Sequence, residues 1–299
     1  MFAPDDAHSG SWHDRKYWFY THRQRSLQQT AAMHKRSNTP DSPWWTLQRS
    51  DDCIVATAVH DGHGLREECA SRMQLSTDDR LREEDPHTGD AITGIPTHLV
   101  VHRSRFEVDL NRAKEQAVYH TSDQSWGLQV WGTPLPDEEI AASLGQHDAY
   151  YRMLGAQLDD VVAAHGRFVL LDVHSYNHRR KGADRDPTPQ AAAPDVNIGT
   201  FSMPRERWSF VVDPLIDAMR QFDFNGRRLD VRENIAFQGK GEQTRFVHQR
   251  YPETGCAIAI EFKKFYMDEW TGQTRPDEVA AMRQFMTAAA NVCRSALHD

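Results

Sequence analysis

The sequence predicts an α/β fold: a single domain with a mixed, largely parallel sheet and helices on both faces. Three observations carry this. From Cys53 onward, short β-branched runs alternate with longer amphipathic stretches. The runs are apolar almost throughout, as strands covered on both faces are. Polar clusters stand at or just beyond the ends of four of them, where open α/β sheets gather their ligands.

Residues 1–50 mix aromatics, His and Arg without a clear period and end in the Pro/Ser/Asn break of "SNTPDSPWW". They are expected to form an N-terminal extension lying on the main domain, residues 51–299. The strands expected there are "CIVATAV" (53–59), "THLVVH" (97–102), "RFVLLDVH" (167–174) and "CAIAIEF" (256–262). The expected helices cover 137–166, which opens with acidic residues and stops at Gly166, then 205–222 and 276–297. The Pro-, Ala- and charge-rich stretch 178–199 reads as a long loop, a feature often tied to function. No internal repeat is visible.

Composition excludes several classes. A chain of 299 residues is long enough to bury a large core, and its mean hydropathy of −0.71 suits a soluble protein. The 43 acidic residues outnumber the 35 basic ones, for a net charge of −8, which argues against a nucleic-acid surface. No window approaches the roughly 18 apolar residues of a membrane span. The N-terminus lacks the apolar centre of a signal peptide, so a cytoplasmic protein without membrane partners is expected. Cys53, Cys69, Cys256 and Cys293 are far apart and read as small buried hydrophobes, with neither a disulfide framework nor a thiolate zinc site.

Four clusters could carry chemistry. In "HDGHG", His60 and His63 stand three residues apart, a spacing that brings two donors to one metal when the chain turns sharply; Gly62 and Gly64 supply the turn. Two histidines in a chain with 16 fit a surface turn equally well. In "LLDVHSYNHRR", Asp172 and His174 share a face of an alternating strand, so Asp172 has the position to orient the His174 ring. Alone, His174 would read as a hydrogen-bonded core histidine. "HRSRFEVDLNR" holds Arg103, Arg105, Asp109, Asn111 and Arg112; a guanidinium beside an amide suits a substrate carboxylate, although an ion-paired surface hairpin is the commoner use of such charges. Finally, Glu261 lies inside an apolar strand, where a carboxylate is costly unless paired, with Lys263 for instance, or facing a site.

With these clusters in place, the chain resembles the N-formylglutamate amidohydrolase family and, more distantly, the zinc carboxypeptidases. The matching pieces, in order, are "HDGHG", "SRFEVDLNR", "LLDVHSYNHRR", "VNIGT" and "AIAIEFKKFYMDEWTG", spanning about residues 53–272. "DLNR" and "HSY" are the more specific. The resemblance implies a zinc carboxypeptidase-like fold and one Zn2+ per chain, with another divalent transition metal as the alternative. His60, His63 and His174 would be the ligands. His63 stands where the carboxypeptidases have Glu, and Asp61, Glu67 and Glu68 are nearby carboxylates able to take that place instead. Asn111 and Arg112, with Tyr176, would bind substrate; Arg105 would polarise the scissile carbonyl, and Glu261 would be the general base. The activity implied is metal-dependent hydrolysis of an N-acyl amino acid of the N-formylglutamate kind. The alternatives are a carboxypeptidase or peptide-modifying hydrolase acting on a carboxylate-bearing substrate, and a non-catalytic metal- or ligand-binding protein.

Overall fold

The structure, a computed structural model, describes residues 44–298. The extension expected over 1–50 lies outside them up to residue 43. Among the described residues, seven strands form one sheet in the order β1-β3-β2-β4-β7-β5-β6. They are β1 (Trp45–Gln48), β2 (Ile54–Ala58), β3 (Thr97–Val101), β4 (Phe168–Tyr176), β5 (Val196–Gly199), β6 (Val231–Glu233) and β7 (Gly255–Lys263). β3, β2, β4 and β7 run parallel, as do β5 and β6. β1 is antiparallel to β3, and β5 to β7. The sheet is therefore mixed and largely parallel, as the unbroken apolar runs predict.

Helices α1 (Glu67–Ala70), α2 (Thr77–Glu83), α3 (Thr88–Ile92), α4 (Asp137–His165), α5 (Ser209–Gln221), α6 (Glu242–Arg250) and α7 (Pro276–His298) complete the framework. Residues of α3, α5 and α7 pack on one face of the sheet with Ile54, Ala56 and Ala58 of β2 and Val169, Leu171 and Val173 of β4. Residues of α4 and α6 pack on the other with Val55, Phe168, Leu170 and Ala257. The two-residue period of a strand thus sends Phe168, Leu170, Asp172 and His174 to the α4/α6 face. Register then sets the site, because His174 lies beside Glu261 and Thr57 beside Asp172.

Three local features differ from expectation. The sheet begins at Trp45, inside the segment assigned to the extension; this edge strand is four residues long and half covered, so it leaves only a faint pattern. The expected loop 178–199 ends in β5, whose Asn197 stands opposite Glu261. α6, "EQTRFVHQR", was not expected either, since Gln243, Thr244 and His248 fill most of its buried face. All four cysteines are free and buried. No helix among the described residues is long and apolar enough to cross a membrane.

Candidate metal centre

The carboxyl ends of β2, β4 and β7 meet at a cluster of buried polar groups. His60 follows β2, His174 lies within β4, and Asp85 sits in the turn after α2. Each is almost inaccessible, and one ligand atom from each falls within 4.8 Å of the others. His60 Nδ1 is 3.3 Å and His174 Nδ1 3.1 Å from the same oxygen, Asp85 Oδ2. The turn is anchored to β2 by the Asp85 N–H, which donates to the His60 carbonyl at 2.9 Å.

The outer nitrogens of both rings are held by two further carboxylates. His60 Nε2 is 2.8 Å from Asp109 Oδ1, and His174 Nε2 is 2.9 Å from Asp172 Oδ1. An imidazole that gives its Nε2–H to a carboxylate presents the Nδ1 lone pair, the arrangement common behind metal-ligating histidines. Asp109 and Asp172 are fully buried and held in turn. Asp109 accepts from Arg105 at 2.9 Å, from the Asn111 N–H at 3.0 Å and from the Tyr119 hydroxyl. Asp172 accepts from Gln243 Nε2 at 2.5 Å, and Gln243 also bonds Thr57. This explains α6: its polar face serves the second carboxylate.

Electrostatics indicate a centre that wants a cation. Burial opposes ionisation of Asp85, but the adjacent His174 and His60 rings outweigh it and hold its pKa below the carboxylate range. Burial likewise opposes a charged His174, yet Asp172, Asp85 and Glu261 raise its pKa well above the usual value. His60 Nδ1 is buried and has no hydrogen-bond partner. Two imidazole nitrogens and a carboxylate oxygen form a donor set suited to Zn2+ and also acceptable to other divalent transition metals. The residues present therefore fit a metal.

The residues singled out from sequence fall into two groups. His60, His174, Asn111, Arg105 and Glu261 come together. The Asn111 amide nitrogen lies 3.3 Å from His174 Nε2, and a Cβ on Gly241 would come within 2.1 Å of the Asn111 side chain, so only glycine leaves room for it. Arg105 is charged at all ordinary pH: burial works against its charge, and Asp109 outweighs that. Glu261 is half-buried beside His174. Burial pushes its carboxyl up to about 7; His174 and Arg105 oppose this, and Asp85 and Asp172 add to it. Arg112 lies at the rim, with Nη2 on the Gln124 carbonyl at 2.7 Å and its guanidinium over the Tyr119 ring.

His63 and Tyr176 point elsewhere. The grouped ligand atoms do not include His63, whose Nδ1 bonds Glu84 while Arg80 lies 2.9 Å from Nε2. Tyr176 is 6% exposed and gives its hydroxyl to the Pro194 carbonyl, with its ring against Phe237. Of the three carboxylates weighed near His63, Asp61 accepts from the Gly89 N–H at 2.9 Å, and Glu67 and Glu68 are exposed. Asp85 carried no recognisable spacing, since it lies 25 residues after His60 in the acidic run "REEDPHTG". Gly62 is required by close approach rather than by turn conformation: a Cβ there would lie 2.1 Å from the His102 carbonyl carbon.

A model of the N-formylglutamate amidohydrolase family matches residues 53–267, most of the chain and all of this centre. The chain belongs to that family. Among solved structures, an N-formylglutamate amidohydrolase from Ralstonia eutropha JMP134 is similar with a TM-score of 0.65 at 18% identity, covering 85% of this chain and 97% of that one. A gene product of Agrobacterium tumefaciens is similar with a TM-score of 0.60 at 13% identity, covering 88% and 100%. At these identities the likeness is one of fold. A metallo-carboxypeptidase from Burkholderia cenocepacia aligns over 85% of this chain and 59% of its own at 13% identity, but its TM-score of 0.36 is too low to support an argument. No curated protein matches the chain in sequence.

Proposed function

We propose that this amidohydrolase-family chain is a metal-dependent hydrolase that opens the amide bond of a short N-acyl amino acid of the N-formylglutamate kind. One observation carries the reading: His60 Nδ1, His174 Nδ1 and Asp85 Oδ2 converge in a buried cluster with Glu261 beside His174. His60, Asp85 and His174 would hold one Zn2+ or a similar ion, so Asp85 takes the place first given to His63. When bound, the ion supplies Lewis acidity, polarising the acyl carbonyl and making water a competent nucleophile near neutral pH.

The chain's own groups do the rest. Glu261 accepts the proton of the attacking water as the new O–C bond forms at the acyl carbon. The same carboxyl returns that proton to the amide nitrogen as the C–N bond breaks, leaving a carboxylic acid and a free amine. Arg105, fixed by Asp109, supplies positive charge toward the developing oxyanion. Arg112 with Asn111 binds the carboxylate of the amino-acid half. A cytoplasmic setting accords with four free, buried thiols.

The rim favours one second reading, in which the substrate is longer. Trp126 is 45% exposed, and Arg105, Arg112 and Arg180 lie 4.8, 5.9 and 5.8 Å from its ring centre. That surface would also suit the carboxylate end of a peptide. The test is hydrolysis, with and without chelator, of N-formyl and N-acetyl amino acids, their C-terminal carboxamides, and short peptides. Replacing the carboxylate with a carboxamide should lower kcat/KM about 10- to 100-fold, the worth of a charge-assisted hydrogen bond. Arg112→Gln should show the same loss on the acid and little on the carboxamide. Turnover of peptides alone would favour the second reading, and a metal-loaded protein inert on all of them would leave a binding protein.

A further inference from the structure

We infer that Lys264 and Tyr266, in the segment following β7, are positioning residues that set the metal-binding carboxylate of Asp85. The inference rests on the reading of Asp85 as a ligand. Lys264 is 1% exposed, and its ammonium donates to the carbonyls of Arg82 at 2.5 Å and Glu84 at 2.6 Å. Tyr266, fully buried, donates its hydroxyl to the Pro86 carbonyl at 2.9 Å. The carbonyls of residues 82, 84 and 86 are thus all bound by two side chains from one short stretch. Asp85 lies between the last two.

The arrangement is costly unless it serves something. A buried ammonium bonded to main-chain carbonyls gains less than one paired with a carboxylate, and an apolar side chain would fill the space without that desolvation. What the ammonium does achieve is to add two main-chain bonds to an irregular turn whose other tie to the sheet is the Asp85 N–H on the His60 carbonyl. A donor on such a turn would otherwise lose conformational freedom when it takes up a metal; fixing it in advance removes that loss. Because β7 carries Glu261 as well, the ligand and the proposed base are registered to the same strand.

The brace continues past Tyr266. Glu269 accepts from the main-chain N–H groups of His178 at 3.1 Å and Arg179 at 2.9 Å, and Trp270 Nε1 donates to the Arg179 carbonyl at 3.1 Å. Arg82 lies over the Trp270 ring at 4.3 Å. The stretch "KFYMDEW" therefore grips both the Asp85 turn and the start of the basic loop. This gives a physical reason for a long polar-aromatic sequence beyond the end of the strand.

The test is Zn2+ affinity of Lys264→Met and Tyr266→Phe, by competition with a chromophoric chelator at a temperature where the metal-free variants are folded. The visible spectrum of the Co2+-loaded proteins and the melting temperature of the metal-free proteins complete it. Lys264→Met should weaken Zn2+ binding about 10- to 100-fold, as loss of groups behind a metal ligand does, and alter the Co2+ bands. Tyr266→Phe should act in the same direction, and it decides the matter if Lys264→Met does not fold. A merely structural role would lower the melting temperature and leave affinity and spectrum unchanged, which would overturn the inference. A wild-type protein that binds no metal would overturn the metal-centre reading along with it, whereas normal wild-type binding with unaffected variants overturns the inference alone.

Discussion

Glu261→Gln is expected to keep its metal and lower kcat by about 10²- to 10⁴-fold, the range for loss of a general base. The substitution keeps shape and removes the proton-accepting oxygen. Near-normal turnover would remove Glu261 from the base role. A second signature follows from the raised pKa of about 7. In the metal-free protein the folded-state pKa lies above the unfolded value near 4.5, so ionisation costs stability. The cost begins as pH rises above about 4.5 and is complete above about 7. Metal-free Glu261→Gln should therefore melt above the wild type at pH 8, by up to about 3 kcal/mol of stability, with the gap shrinking toward pH 5. A bound cation opposes the shift, so the acid limb of kcat/KM should fall below about 7. Equal melting of the two proteins at pH 8 would show that Glu261 carries no such strain.

Asp109→Ala is expected to cause the largest loss of stability of any single change at the site. The carboxylate is fully buried and meets His60, Arg105, Tyr119, the Asn111 N–H and, at 3.4 Å, Arg112. Removing it leaves a buried guanidinium without its counter-ion, at a cost of about 3–5 kcal/mol. It also frees the His60 ring, so metal affinity should fall about 10- to 100-fold. Urea unfolding of metal-free protein measures the first effect and chelator competition the second. A stability change under about 1 kcal/mol would mean that Arg105 and His60 find other partners, and Asp109 would not be the keystone of this wall.

The parts legible in the sequence were those written in local pattern. Apolar runs located β2, β3, β4 and β7, and their polar ends located His60, His174 and Glu261. The shared face of Asp172 and His174 also followed from alternation, and the 2.9 Å contact agrees. Asp85 was invisible because its position depends on a turn closing over β2 and on Lys264 and Tyr266, 179 and 181 residues later. The role of Asp109 was hidden for a related reason. In sequence it sits among arginines and reads as one of their partners, and only the fold brings His60 Nε2 to it. β1 and β6 escaped notice because strands of four and three residues carry almost no period.

The central claim is that His60, Asp85 and His174 hold one divalent metal, and the most direct measurement is elemental metal content of the purified protein. The set is the wild type with His60→Ala, Asp85→Ala, His174→Ala and His63→Ala. About one metal ion per chain is expected in the wild type and in His63→Ala, with loss in the other three. Retention in Asp85→Ala together with loss in His63→Ala would contradict the assignment and return His63 to the ligand set. A wild type that neither carries metal nor takes it up would contradict the metal centre itself.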